Sequence, residues 1–280
     1  MNTFAKRAVS GILFVSLTAA CILFSGYTYG GLFLLLSLFS LNEFYRLAEK
    51  LLGVRIDRVP GLAVGGLLFL YSFAQRFFPG VWDLHSLILV LLLVGIAWTP
   101  VRGVLRADHG SFLSWAGQLL GIVYVALPFA LTTHLVTPAP PSSGQYSGMV
   151  LLLVMAFVWI NDTGAYLSGW AFGRHKMIER ISPKKTWEGF VGGLVPAAVL
   201  GWVAGHFLWD DNGLRWPLVA LLTAFSSVLG DLIESLLKRS VGVKDSGRFL
   251  PGHGGFLDRF DAMLLAVPVA VVATRVLVVS

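Results

Sequence analysis

The sequence predicts an all-α, polytopic membrane bundle of about nine transmembrane helices with a cytoplasmic N terminus. Three observations lead there. Of the 280 residues, 56% are hydrophobic and only 13% charged, where a soluble domain carries about 25% charged residues. The apolar residues gather in runs such as Gly31–Leu41, Leu87–Trp98 and Met149–Ile160, with most Lys and Arg in the short segments between them. A hydrocarbon core about 30 Å thick needs about 20 apolar residues of helix, and a soluble core has no use for so many runs in one short chain.

Helices are expected over residues 9–25, 27–45, 60–78, 85–99, 112–134, 149–170, 189–209, 215–236 and 261–279. The fourth run is short enough to be tilted, re-entrant or buried among its neighbours. With the N terminus inside, the cytoplasmic face receives 18 of the 21 basic residues, from Lys6 and Arg7 to Lys238, Arg239, Lys244, Arg248 and Arg259. Arg76 and Arg215 fall on the other face, and Arg275 lies near the C-terminal end. This split satisfies the positive-inside rule. The placement of the +6 net charge therefore points to a membrane surface and not to nucleic acid. The single cysteine, Cys21, excludes an intramolecular disulfide.

The chain divides by loop chemistry. Residues 1–148, about five spans, have generic loops and read as a membrane scaffold. Residues 149–280, about four spans, hold two cytoplasmic loops dense in polar and glycine residues, and chemistry is expected there.

The richer segment runs from Asp231 to Asp261. Asp231, Glu234, Ser235 and Lys238 fall at i, i+3, i+4 and i+7, on one face of a helix ending a span, with Leu232, Ile233, Leu236 and Leu237 opposite. Such a stripe at a membrane boundary is costly unless it lines a wet cavity. A glycine-punctuated loop follows, with Gly254-Gly255 able to bring the backbone close to a ligand. Asp258 and Asp261 then stand at i and i+3 as the last apolar helix begins. Two carboxylates on one face suit Mg2+, which takes one or two protein carboxylates and completes its shell with water and phosphate oxygens.

In the second segment, Asn161, Asp162 and Thr163 interrupt an apolar run, and an intramembrane carboxylate calls for a cation or a basic partner. After it, Ser182-Pro183-Lys184-Lys185-Thr186 offers ammonium and hydroxyl donors suited to phosphate, with the next helix expected to start near Ser182 or Lys184.

Both segments resemble the phosphatidate cytidylyltransferase (CDP-diacylglycerol synthase) family. Ser235-x-Leu-Lys238-Arg239, then Lys244-Asp-x-Gly, then Leu-Pro-Gly-His253-Gly254-Gly255-Phe-x-Asp258-Arg259-Phe-Asp261 is similar to that family's signature. Asp162-Thr-Gly-Ala-Tyr and Ser182-Pro-Lys184-Lys185-Thr186-x-Glu-Gly are similar to its upstream motif.

The resemblance implies transfer of the cytidylyl group of CTP to phosphatidic acid, giving CDP-diacylglycerol and pyrophosphate for phospholipid biosynthesis. On that reading Asp258, Asp261 and Asp231 bind Mg2+, with Mn2+ as a substitute and a second cation as a further candidate. Lys184, Lys185, Lys238, Arg239 and Lys244 hold phosphates. Asn161, Asp162, Ser182, Thr186, Ser235, His253, Gly254, Gly255 and Arg259 complete the substrate contacts. The partners are CTP, phosphatidic acid and the lipid bilayer, with a homodimer left open. The expected location is the cell (inner) membrane, with the site facing the cytoplasm.

Two other readings stand beside this one. One is a related CTP-dependent enzyme acting on another lipid phosphate or a polyprenol. The other is an ion-coupled transporter using Asp162 and Asp231, which the lack of an evident internal repeat disfavours. Glu43, at the end of the second span, reads as a helix-end polar residue and not as part of a site.

Overall fold

The computed structural model describes residues 3–106, 110–138, 146–211, 213–247 and 254–279. Within them, all nine expected spans are helical. They are α1 (Thr3–Phe24), α2 (Gly26–Leu52), α3 (Arg58–Phe77), α4 (Trp82–Arg106), a rod comprising α5 (Ser111–Gly121) and α6 (Leu127–Leu131), α7 (Met149–Phe172), α8 (Trp187–Trp209), α9 (Arg215–Ser240) and α10 (Leu257–Thr274). Seven of these among the described residues are long and apolar enough to cross a membrane. The described apolar part of α1, Gly11–Phe24, is shorter, and α3 is diluted by Gly65, Gly66, Ser72 and Gln75.

The expectation that the fourth run is short is corrected. Helix α4 has 25 residues and continues through Pro100 to Arg106, with most of its apolar side chains exposed. A proline removes one ladder hydrogen bond without necessarily ending a helix whose face meets lipid. In the α5–α6 rod, Pro128 has no N–H to return to Tyr124, and the ladder there widens to a π turn over Ile122–Ala126.

The chain forms two units. The first comprises residues 1–148 with 240–260, the second 149–239 with 261–280.

In the first unit, α2 is the buried member. Ser25 caps it, accepting from the Thr28 N–H at 3.2 Å, and Gly53 ends it in the left-handed region at φ 66°. Its side chains Tyr29, Phe33, Leu41, Phe44 and Tyr45 are fully or almost fully buried. Phe33 meets Phe129 edge-on at 6.2 Å, and Phe129 packs against Phe260 at 5.2 Å. Buried hydroxyls find partners: Tyr45 donates to the Gln118 carbonyl, and Tyr29 pairs with Thr132 at 2.5 Å.

The second unit is built on close approach. Along α8, Gly189, Gly193, Ala197, Gly201 and Gly205 recur every four residues and are all buried. Lipid gives helices no hydrophobic reason to associate, so small residues that let backbones touch supply the packing. A Cβ on Gly193 would lie 2.6 Å from the Asn161 carbonyl of α7, and one on Gly201 would lie 2.6 Å from the Trp216 carbonyl of α9. Gly230 does the same at the other end of α9, where a Cβ would sit 2.7 Å from the carbonyl of Asp261. That contact brings the backbone of Asp261 against α9 beside Asp231.

Candidate active site

The loop between α7 and α8 is not the simple helix entry expected at Ser182 or Lys184. It is a β-hairpin, β3 (Lys176–Ile178) against β4 (Ser182–Thr186), and α8 begins only at Trp187. Pro183 holds the residue before it in extended geometry, and Thr186 supplies the cap, its hydroxyl accepting from the Gly189 N–H at 3.1 Å. Glu188, in the first turn of α8, accepts from the backbone N–H groups of Arg174 and His175 and pairs with His175 Nδ1 at 2.5 Å. Both ends of the hairpin are thus pinned to the start of α8.

The pinned strand carries Lys184 and Lys185 to a cavity of ≈ 230 Å3 also lined by Asp162 of α7 and Asp231 of α9. Lys185 Nζ lies 2.7 Å from Asp231 Oδ2. The other oxygen, Oδ1, accepts from Ser235 at 3.1 Å. The charges of Asp231 and Lys185 reach Asp162, and those of Asp231, Lys238 and Asp162 reach Asp261. Lys185 thus pairs directly with Asp231, and Asp162, for which a basic partner is expected, lines the same cavity. Asn161 is fully buried, with Nδ2 donating to Ser227 Oγ at 3.4 Å and Oδ1 without a described hydrogen-bond donor.

Along α9 the polar stripe falls largely as expected. Asp231, Glu234, Ser235 and Lys238 face inward to different degrees, and Ile233 and Leu236 face out. Leu232 is corrected: it is buried at 7% exposure, because the inner face is wide enough to include it. Lys238 makes an ion pair with Glu234, which is completely buried. Removal of one partner of such a pair is costly because it strands the other charge. Arg239, Lys244 and Arg259 are exposed. Thr186 is buried at its capping position, and Ser182 is half-buried opposite Ile178. His253 lies outside the described residues.

Asp258 belongs to a different arrangement, inside the first unit. Its Oδ2 accepts from Ser246 N and Ser246 Oγ, both at 2.9 Å, and from Gly255 N at 2.7 Å. The Ser246 hydroxyl also lies 2.9 Å from Glu43 Oε2, which accepts from the Leu257 N–H at 2.9 Å. Asp258 and Asp261, one helical turn apart, share no described hydrogen-bond partner.

Glu43 is thus the residue that sequence reasoning passed over. It is buried at 6% exposure and is wrapped by the signature loop. A Cβ on Gly255 would lie 2.2 Å from Glu43 Oε2, and one on Gly247 would lie 2.4 Å from Oε1. The signal available in the sequence was a carboxylate inside an apolar span, as for Asp162, but Arg46 three residues on made it read as a helix-end pair.

Among the described residues no three His, Cys, Asp or Glu side chains converge as a metal-ligand set. Mg2+ needs only one or two protein carboxylates, and Asp231 and Asp261, hard oxygen donors brought together by the Gly230 contact, fit that requirement. Asp258 fits it less well, since one of its oxygens already accepts three hydrogen bonds.

A profile of the cytidylyltransferase family matches residues 5–277. The chain is 33% identical over 279 residues to the phosphatidate cytidylyltransferase of Haemophilus influenzae, covering 94% of this chain and 96% of that protein. It is 35% identical to the Staphylococcus haemolyticus enzyme of the same name, over 94% of this chain and 95% of that one. To the Staphylococcus aureus enzyme it is 38% identical, over 77% and 79%. The match runs through both halves of the chain, including the first 148 residues that hydropathy alone had described, and this membrane protein belongs to the cytidylyltransferase family.

Proposed function

We propose that this chain catalyses the phosphatidate cytidylyltransferase reaction, making CDP-diacylglycerol and pyrophosphate from CTP and phosphatidic acid. The observation that carries the reading is the cavity where Lys184 and Lys185 meet Asp162 and Asp231, in a chain matched from end to end by this family. A phosphate oxygen of the lipid attacks the α-phosphorus of CTP. The new O–P bond forms as the bond to the β-phosphate oxygen breaks, and pyrophosphate leaves. The protein's part in such a reaction is positioning and charge stabilisation.

Lys184, exposed on the hairpin, meets phosphate oxygens first. Lys185, held by Asp231, is oriented before substrate arrives and loses little freedom on binding. Asp162 keeps the field at the cavity from becoming purely basic, which leaves room for a cation. Asp231 and Asp261 would hold Mg2+, which when bound neutralises phosphate charge and polarises the reacting phosphate. Asp258 and Glu43 act one step removed: they close the signature loop, and with it they place Lys244 and Gly254-Gly255.

The site faces the cytoplasm, where CTP is found and where the basic residues concentrate, in the cell (inner) membrane. A cysteine at the exposed Gly242, in a Cys21→Ser background, should react with an impermeant thiol reagent from the cytoplasmic side only. Labelling from the other side would overturn the orientation.

The test of the reaction uses purified protein with CTP and a set of lipid phosphates. CDP-diacylglycerol and pyrophosphate should appear in equal amounts with phosphatidic acid. Faster turnover of a polyprenyl phosphate would replace the substrate while keeping the chemistry.

A further inference from the structure

A polar cavity in the first unit, ≈ 800 Å3, shares no residue with the site above. It lies where α2 turns into α3 and α4 turns into α5, and its walls are pinned. The Asp57 N–H donates to Ser114 Oγ at 3.0 Å, Gln118 Nε2 donates to the Asp57 carbonyl at 2.5 Å, and the Ile56 N–H donates to Glu49 Oε1 at 3.1 Å. A cavity of this size with fixed walls suits a preformed small-molecule or headgroup site.

Among the described lining residues the charge is positive. Arg55, Arg58 and Arg102 line it against two carboxylates, Glu49 and Asp57. Arg58 pairs with Glu49, and Arg102 pairs with Asp57. Arg55 is exposed, and no described carboxylate forms an ion pair with it. The N-terminal ends of α3 and α5 also line the cavity. The two helix dipoles therefore add to the positive potential. Two ion pairs are enough to pin two turns, so the third arginine and the open volume call for something more.

The rim is apolar. Val59 lines the cavity and is 75% exposed, and Val104, Leu105 and Phe112, close in sequence to the lining residues Arg102 and Ser111, are also exposed. These helices carry the apolar surface of a membrane protein, so a ligand arriving sideways through the bilayer finds hydrocarbon contacts at the rim and positive charge within. A water-borne anion has no use for that rim.

We infer that this cavity binds the phosphate headgroup of an anionic phospholipid, at a site distinct in its residues from the cytidylyltransferase cavity. Arg55 supplies an exposed charge beyond the two described ion pairs, the paired arginines and helix ends add to the field, and Val59 meets the acyl chains.

The probe is phosphatidylglycerol, an anionic lipid other than the substrate. Full-length protein is exchanged into phosphatidylcholine nanodiscs containing a minor fraction of phosphatidylglycerol, and co-purifying lipid is counted by native mass spectrometry. Wild-type protein should enrich phosphatidylglycerol. Arg55→Gln should cut that enrichment about fivefold, the worth of one basic residue at a membrane surface, with unchanged turnover on CTP and phosphatidic acid as proof of folding. Arg55→Lys should restore it, which also covers the case of a Gln variant that folds poorly. Absence of enrichment in the wild type, or equal enrichment in all three proteins, overturns the inference. So does displacement by inorganic phosphate, which would make the cavity a site for soluble anions.

Discussion

Two carboxylates of the signature region, Asp231 and Asp258, are held in opposite ways. Asp231 lies at a cavity, half-exposed, with one oxygen on an ammonium and the other on a hydroxyl. Asp258 accepts three hydrogen bonds on one oxygen, two of them from backbone amides, and neighbours a second buried carboxylate through a shared hydroxyl. The first arrangement presents the carboxylate to a cavity, and the second commits one carboxylate oxygen to holding the loop. Acids of one polar segment, Asp231 and Asp258, are thus held differently, although the sequence presents them as equals.

The largest expected effect tests the first arrangement. Asp231→Asn and Asp261→Asn should each lower turnover at least about a hundredfold, as loss of a main electrostatic element does, and excess EDTA should abolish wild-type activity. Their Asp→Glu variants keep charge but move it, so their defect should change with Mg2+ concentration or with Mn2+ in its place. Full activity without divalent metal would remove the metal role from both residues.

Next come the lysines. Lys185→Gln should cost more than Lys184→Gln, because it also leaves Asp231 without its partner. Both should raise the apparent constants for CTP or lipid without rescue by added metal, as kinetic constants across a metal titration would show. If Lys184 proves the more damaging position, Lys185 serves Asp231 alone.

The second arrangement predicts a loss of stability more than of chemistry. Glu43→Ala strands the Leu257 N–H and loosens Ser246, at a cost of about 1–3 kcal/mol. The variant should melt earlier and be cut by protease within residues 240–256 at lower doses. Substrate affinity should fall through the loop, and Glu43→Asp should recover little, being a methylene too short. Unchanged protease sensitivity would return Glu43 to a helix-end role. The smallest effect is expected at Thr186→Ala, where loss of the cap costs about 1 kcal/mol and shows as a modest drop in melting temperature.

Much of this was legible in the sequence, for identifiable reasons. Apolar runs and basic segments are local properties, so the spans followed from them, although α4 proved longer because exposure to lipid tolerates Pro100. The i, i+3, i+4 spacing placed Asp231 and Ser235 on one helical face, and helix geometry alone guarantees that. The β-hairpin was missed because Ser182–Thr186 has too few residues to show a period, and only the Thr186 cap and the Glu188 bonds define where α8 starts.

By itself, the sequence determined that this protein lies in a membrane, and it pointed to the segments 161–188 and 231–261, and to the residue types in them, for its chemistry. The tertiary structure decided which acid meets which base. Lys185 finds Asp231 across 46 positions, and Glu43 finds Ser246 across 203. Such pairings depend on helices approaching at glycines such as Gly193 and Gly230, whose contribution is the absence of a side chain. A missing Cβ carries no pattern along the chain, and its meaning appears only where another backbone occupies the space.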